Sequence, residues 1–307
     1  MADRVLVHGA SGFVGAHLVH ALAHRGAHIV ATSHKPFDIG NRSVETHFGK
    51  WCEAEHFAKV LTDCRAVIHV ASTSTPGSTA GDPLTELQAN LSPTLALIQA
   101  LQAHPNIHLV YVSSGGSLYP PIDTAASESA PIKPRSYHGA GKAAAEHFIQ
   151  AWCAQHDVHA TILRPSNIYG PGQMQRATFA IIPTAMNCIL RDEPLTIWGD
   201  GSSIRDYLYI DDFISLCTAV LDDRNAAECN IFNASSGQAT RLDELLSMIE
   251  SVSGKQLHFE YTRPRRVDAN HVAIDNSAAT LRYAWSPSVG LHDGLKRTWA
   301  WMISGQR

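Results

Sequence analysis

The run GASGFVG, from Gly9 to Gly15, limits what this chain can fold into more than any other stretch. Its glycines, Gly9, Gly12 and Gly15, follow a short apolar strand over Arg4 to Val7 and open a helical run over Gly15 to Arg25; His28 to Thr32 then reads as a second strand. Bare backbone at such a turn lets a pyrophosphate approach, and the helix N-terminus behind it favours negative charge. A glycine turn alone serves equally as a tight structural corner. Its place inside a complete strand, helix, strand unit points to dinucleotide binding.

Further along, Ala66 to Val70, His108 to Ser113 and His159 to Leu163 read as strands, alternating with helical patterns over Asp82 to Gln102 and His138 to His156. This alternation predicts an α/β fold, a Rossmann-type doubly wound parallel sheet. The 307 residues, 45% of them hydrophobic, suffice for a sizeable core. After Asn167, glycine and proline punctuate YGPGQ, EPLTIWGDGSS and FNASSGQ, which predicts a smaller, mixed α/β lobe. Tyr207 to Asp222 again reads as strand plus helix. The expected division is a dinucleotide-binding domain over 1–166 and 207–232, and a substrate-binding lobe over 167–206 and 233–307.

Several function classes are disfavoured. Net charge is -4, and no stretch concentrates Lys and Arg as a nucleic-acid footprint or a membrane-surface anchor requires. The six cysteines form no CxxC pair, so neither a zinc knuckle nor a dense disulfide framework is indicated. The start MADRVLVHGASGF passes directly into a strand pattern, and no apolar run approaches the ~18 residues of a membrane span. The expectation is a cytoplasmic protein with reduced thiols. His17, His20 and His24 share a face of the first helix but lack HExxH spacing, and read as a solvated face; no metal site is expected.

VIHVAS (Val67 to Ser72), QANLSPT (Gln88 to Thr94), YVSSGGSLY (Tyr111 to Tyr119), LRPSNIYGPGQ (Leu163 to Gln173) and IWGDGSSIRDYLYIDD (Ile197 to Asp212) occur in that order. With the late RPRRVD and the terminal WSPSVGLHDGLKRTWAW they resemble the extended short-chain dehydrogenase/reductases, in particular the UDP-glucose 4-epimerase-like nucleotide-sugar enzymes. The resemblance covers nearly the whole chain. It implies that Gly9, Gly12 and Gly15 cradle the cofactor pyrophosphate, and that Val70, Ala71, Ser72 and Asn90 line the cofactor bed. Phe13, Val14, Trp51 and Pro165 complete that set, and Lys142 reaches the nicotinamide ribose. Asn167, Arg205 and Arg265 would face the diphosphate of a UDP- or dTDP-linked sugar, a role that suits the bidentate guanidinium. A homodimer is also implied, built on helices around Ser92 to Gln102 and His138 to His156; their apolar stripes (Leu95, Leu97, Ile98, Leu101; Ala145, Phe148, Ile149, Trp152) could instead bury against their own sheet.

The cofactor is expected to be NAD or NADP. Ser33 stands where an NAD enzyme of this kind commonly has an acid for the ribose hydroxyls, and Lys50 where an aspartate is frequent near adenine. With His34 and Lys35 alongside, the missing negative charge leans towards NADP.

A further departure lies in SYHGAGKAAAE, Ser136 to Glu146. Where the resembling enzymes carry a tyrosine four residues before the lysine, this chain has His138, and Tyr137 falls one position early. Residues i and i+4 of a helix share a face, whereas i and i+5 are rotated apart by about 140°. His138 is therefore the candidate acid/base. Its ordinary pKa is about 6.5, and the Lys142 and oxidised nicotinamide charges disfavour its protonated form. Tyr137 stays a candidate if the helix start is irregular. Ser114 and Ser117 are the candidate hydroxyls beside the reacting oxygen; Gly115 stands where some relatives carry one.

In the resembling epimerases, carbon 4 of the sugar is oxidised, the ketosugar turns, and hydride returns to its other face. Dehydratases carry an acid in the interval held here by Gly115, Gly116, Ser117 and Leu118, so elimination is disfavoured. An NADPH-dependent 4-ketoreductase and a non-catalytic nucleotide-sugar sensor remain open alternatives.

Overall fold

The computed structural model describes residues 3–37, 43–75, 77–78, 81–121, 124–175, 180–223, 228–264 and 271–305. The first part of the chain runs β1 (Arg4–His8), α1 (Phe13–His24), β2 (His28–Ser33), β3 (Val44–Phe48), α2 (Ala54–Ala58), β4 (Ala66–His69), α3 (Pro83–Glu86), a π-helical turn (Leu87–Leu91), α4 (Ser92–Leu101), β5 (His108–Val112), α5 (Gly115–Leu118), α6 (Tyr137–His156) and β6 (Ala160–Pro165). There follow β7 (Asn167–Tyr169), α7 (Ile181–Arg191), β8 (Leu195–Trp198), β9 (Ile204–Tyr209), α8 (Ile210–Asp222), β10 (Cys229–Ala234), β11 (Ala239–Arg241), α9 (Leu242–Ser253), β12 (Phe259–Thr262), α10 (Ser277–Tyr283) and α11 (Leu291–Ile303).

The main sheet has seven strands in the order β10-β6-β5-β4-β1-β2-β3. β1 pairs parallel with β2 and β4, β2 with β3, and β5 with β4 and β6. This is the doubly wound arrangement predicted from the alternation, with the order reversing beside β1. Strand β3 was not foreseen. It is an edge strand, VETHF, with no fully buried residue, so it lacks the apolar run that marks its neighbours.

Two compact units divide the chain: Met1–Ser114, Ser136–Arg164 and Ile214–Phe232 in one, Gly115–Arg135, Pro165–Phe213 and Asn233–Arg307 in the other. In the first, Leu6, Val67, Leu109 and Ile162 of the sheet pack with Leu97, Ile98 and Leu101 of α4 and Ala145, Ile149 and Trp152 of α6. The apolar stripes considered for a dimer face are thus largely consumed within one chain. Leu95 packs partly buried at the edge of this core, and Phe148 remains 50% exposed.

The expected helix over Asp82 to Gln102 is interrupted. The Ser92 N–H reaches back five residues to the Leu87 carbonyl, which also accepts from the Ser92 hydroxyl (3.0 Å), and Pro93 has no N–H to restore the α-helical ladder. The resulting π turn Leu87–Leu91 carries Asn90.

In the second unit, β9 pairs parallel with β7 and antiparallel with β11, and β12 pairs with β8. The Asp206 carboxylate accepts from Ser166 Oγ (2.5 Å), Ser236 N and Oγ (2.8 Å each) and Gln238 N (3.1 Å). One buried anion thereby joins the start of β7 to the turn before β11, and its donors offset the cost of its burial. Among the described residues no helix is long and apolar enough to cross a membrane.

Candidate active site

At the first turn, Gly9 has a φ of +98°, and a Cβ there would lie 2.6 Å from the Ala71 backbone nitrogen. Only glycine serves both demands. Gly15 is equally constrained, because a Cβ there would strike the Gly9 carbonyl. Gly12 caps α1 with no side-chain hydrogen bond, and Phe13 and Val14 form its half-buried first turn. The first N–H groups of α1 are left for an anion or water, which fits a dinucleotide pyrophosphate.

At the end of β2, the Ser33 hydroxyl donates to the carbonyl of Lys35, so it is turned into its own loop. The Ser33 carbonyl accepts from Gly49 N and from Trp51 Nε1, both at 3.0 Å. Trp51 is buried, while His34, Lys35 and Lys50 are exposed. His34, Lys35 and Lys50 thus lie on the surface beside the end of β2.

The third group of site residues converges through the segment after β4. Val70 N donates to the His8 carbonyl (2.9 Å), and Val70, Ala71 and Ser72 are half-buried. Asn90 projects from the π turn: its Oδ1 accepts from Thr73 N (2.9 Å), and its Nδ2 donates to Ser74 Oγ (2.7 Å) and Glu86 Oε1 (2.9 Å). Ser74 Oγ in turn lies 2.8 Å from His138 Nδ1.

Helix α6 supplies the other side. Ser136 caps it by accepting from Gly139 N (3.1 Å), which fixes a regular first turn and puts His138, Lys142 and Glu146 on one buried face. Tyr137 is 44% exposed at the helix start. The structure brings His138 and Lys142 together and leaves Tyr137 outside this network. Burial, and then the Lys142 charge, push the His138 pKa down to about 3, so its imidazole is neutral. Lys142 Nζ donates to the Val112 carbonyl (2.8 Å) and lies 4.8 Å above the Tyr111 ring. Burial lowers its pKa to about 8, against the opposing pull of Glu86 and Glu146.

Ser114 follows β5 and Ser117 lies in the short helix α5; both are half-buried. In the second unit, register pairs Asn167 with Tyr207, so Arg205, two residues before Tyr207, lies on the same face as Asn167. Asn167 Nδ2 donates to the Asp206 carbonyl (2.9 Å), and one guanidinium nitrogen of Arg205 donates to the Ile204 carbonyl (2.8 Å). Pro165 is buried at the end of β6, and Arg265 lies outside the described residues.

Sequence reasoning missed Ser74, Glu86 and Gly141. A Cβ on Gly141 would lie 2.6 Å from Glu86 Oε1, so the glycine before Lys142 makes room for a carboxylate buried beside the lysine. The only local signal was Glu86 four residues before Asn90.

The family described as NAD dependent epimerase/dehydratase matches residues 5–235. Similar full-length proteins include the UDP-glucose 4-epimerase of Mycolicibacterium smegmatis, 28% identical with 96% of this chain and 97% of the relative covered. The dTDP-4-dehydro-6-deoxyglucose reductase of Escherichia coli is 27% identical, with 95% of each covered. The solved UDP-glucuronic acid 4-epimerase from Bacillus cereus, in complex with UDP-glucuronic acid and NAD, superposes with a TM-score of 0.90 at 26% identity, covering 98% of this chain and 99% of that one. The dinucleotide in that structure is NAD, and the lean towards NADP finds no support.

Proposed function

The chain belongs to the NAD dependent epimerase/dehydratase family, and from that premise we propose that it is an NAD-dependent nucleotide-sugar 4-epimerase acting on a UDP- or dTDP-linked sugar. The observation that carries this reading is the buried His138 and Lys142 face of α6, which keeps an imidazole where the resembling enzymes keep their acid/base tyrosine. The glycine turn Gly9 to Gly15 and the first turn of α1 hold the pyrophosphate; Val70, Ala71, Ser72 and Asn90 form the bed. When bound, the nicotinamide supplies the redox chemistry at carbon 4. Lys142 orients the ribose and keeps a positive charge beside His138, which exchanges a proton with the sugar oxygen. Ser114 and Ser117 hold that oxygen by hydrogen bonds. Asn167 and Arg205 bind the diphosphate, with Arg205 offering its planar donors to phosphate oxygens.

A nucleotide-sugar 4-ketoreductase is the second reading, favoured by the full-length similarity to the E. coli reductase. Incubation of the purified protein with NAD and a panel of UDP- and dTDP-sugars, and in parallel with NADH or NADPH and a nucleotide-linked 4-ketosugar, followed by chromatography and cofactor absorbance, separates the two. Formation of the carbon 4 epimer with no net cofactor change supports the epimerase. Stoichiometric oxidation of reduced cofactor by a 4-ketosugar supports the reductase, and UDP binding without conversion of any sugar overturns both.

A further inference from the structure

The hydrogen bonds around His138 constrain which of its nitrogens carries the proton. Thr73 N is a backbone donor, so the Asn90 atom it reaches at 2.9 Å is the amide oxygen. The other amide atom is then nitrogen, which agrees with its 2.9 Å contact to the carboxylate oxygen of Glu86. Its second hydrogen goes to Ser74 Oγ at 2.7 Å, so Ser74 is an acceptor there. A hydroxyl has one hydrogen to donate. Among the described residues, the remaining partner of Ser74 Oγ is His138 Nδ1 at 2.8 Å.

We propose that Ser74, oriented by Asn90 and Glu86, is a positioning residue that holds His138 as the Nε2–H tautomer, so that the imidazole presents an N–H donor to the ligand oxygen. Ser74 donates to Nδ1, which is therefore bare, and the neutral ring carries its proton on Nε2. The opposite tautomer would place three hydrogens around Ser74 Oγ and leave its own hydroxyl hydrogen with no acceptor among the described residues. A neutral histidine held as a donor stabilises a carbonyl oxygen or developing oxyanion without being protonated itself. The consequence is directional. A 4-keto group meets the resting tautomer directly, whereas removal of a proton from a hydroxyl needs the proton first moved from Nε2 to Nδ1 against the Ser74 bond.

This inference rests on the reading of His138 as the group at the reacting oxygen, but its test does not depend on turnover. Full-length protein labelled with 15N histidine is observed by long-range proton–nitrogen correlation at neutral pH, and His138 is assigned by its loss in His138→Gln. The expected pattern is a pyrrole-like Nε2 and a pyridine-like Nδ1, with Ser74→Ala returning the Nδ1 resonance to the position of a nitrogen that accepts no hydrogen bond. A pyrrole-like Nδ1 in the wild type, or an Nδ1 resonance unmoved by Ser74→Ala in a folded variant, would overturn it.

Discussion

Lys142 is the residue on which the local electrostatics turn. It is buried, yet two carboxylates pull against the loss of its charge, and its pKa settles at about 8 rather than 10.5. A depressed lysine pKa means that the free protein loses this cation as pH rises through about 8, not through the usual lysine range. If the cation is needed to orient the ribose, the pH profile of kcat/KM for NAD, which reports the free protein, falls with a limb near pH ~8. A limb absent below pH ~10 would show that Lys142 is not required in its charged form. Lys142→Met should remove the limb together with most of the activity.

Helix α6 carries three consequences of one spacing: His138, Lys142 and Glu146 recur at i+4, and the carboxylate of Glu146 meets Arg164 of β6 through Nε (3.1 Å to each oxygen) and a second nitrogen (2.7 Å). Both side chains are almost fully buried. Removing one partner strands the other charge in the core, so Glu146→Ala should lower stability by about 3–5 kcal/mol in urea titration. A loss under ~1 kcal/mol, the range of surface pairs, would mean that water reaches Arg164. Gly141→Ala sets two effects against each other. Alanine favours a helix interior by about 1 kcal/mol, but the added methyl overlaps Glu86 and costs about 1–3 kcal/mol. The overlap should win: a lower midpoint than wild type is expected, and a higher one would show that Glu86 swings away freely. At this scale the sequence was legible where the signal is local. The i, i+4 pairing of His138 with Lys142 and the glycine spacing could be read directly. Ser74 and Glu86 could not, because they reach His138 and Lys142 by packing of chain segments far apart in sequence, with Asn90 of the π turn joining the two. Strand β3 escaped for a different reason, its edge position allowing polar residues along its length.

For the whole molecule, the α/β alternation was enough to predict the doubly wound sheet, while the network beside it required the fold. Burial also leaves histidines neutral in several places: desolvation lowers His8 and His138 to about 3 and His108 to about 4. In the unfolded chain each takes a proton below about 6.5, so between that pH and the folded values the unfolded state binds more protons. Stability is therefore lost as pH falls through this window. The urea midpoint of the wild type should drop between pH ~7 and ~5, with a smaller drop in His108→Gln; equal drops would place the acid sensitivity elsewhere. The central claim is that this chain performs nucleotide-sugar redox chemistry with His138 at the reacting oxygen. It is tested most directly by turnover of His138→Phe and Tyr137→Phe at several pH values, with UDP affinity measured in parallel. A loss of ~100-fold or more is expected for His138→Phe with UDP binding intact, and a mild effect for Tyr137→Phe. The reverse ranking, or a wild type as slow as both variants, would contradict it.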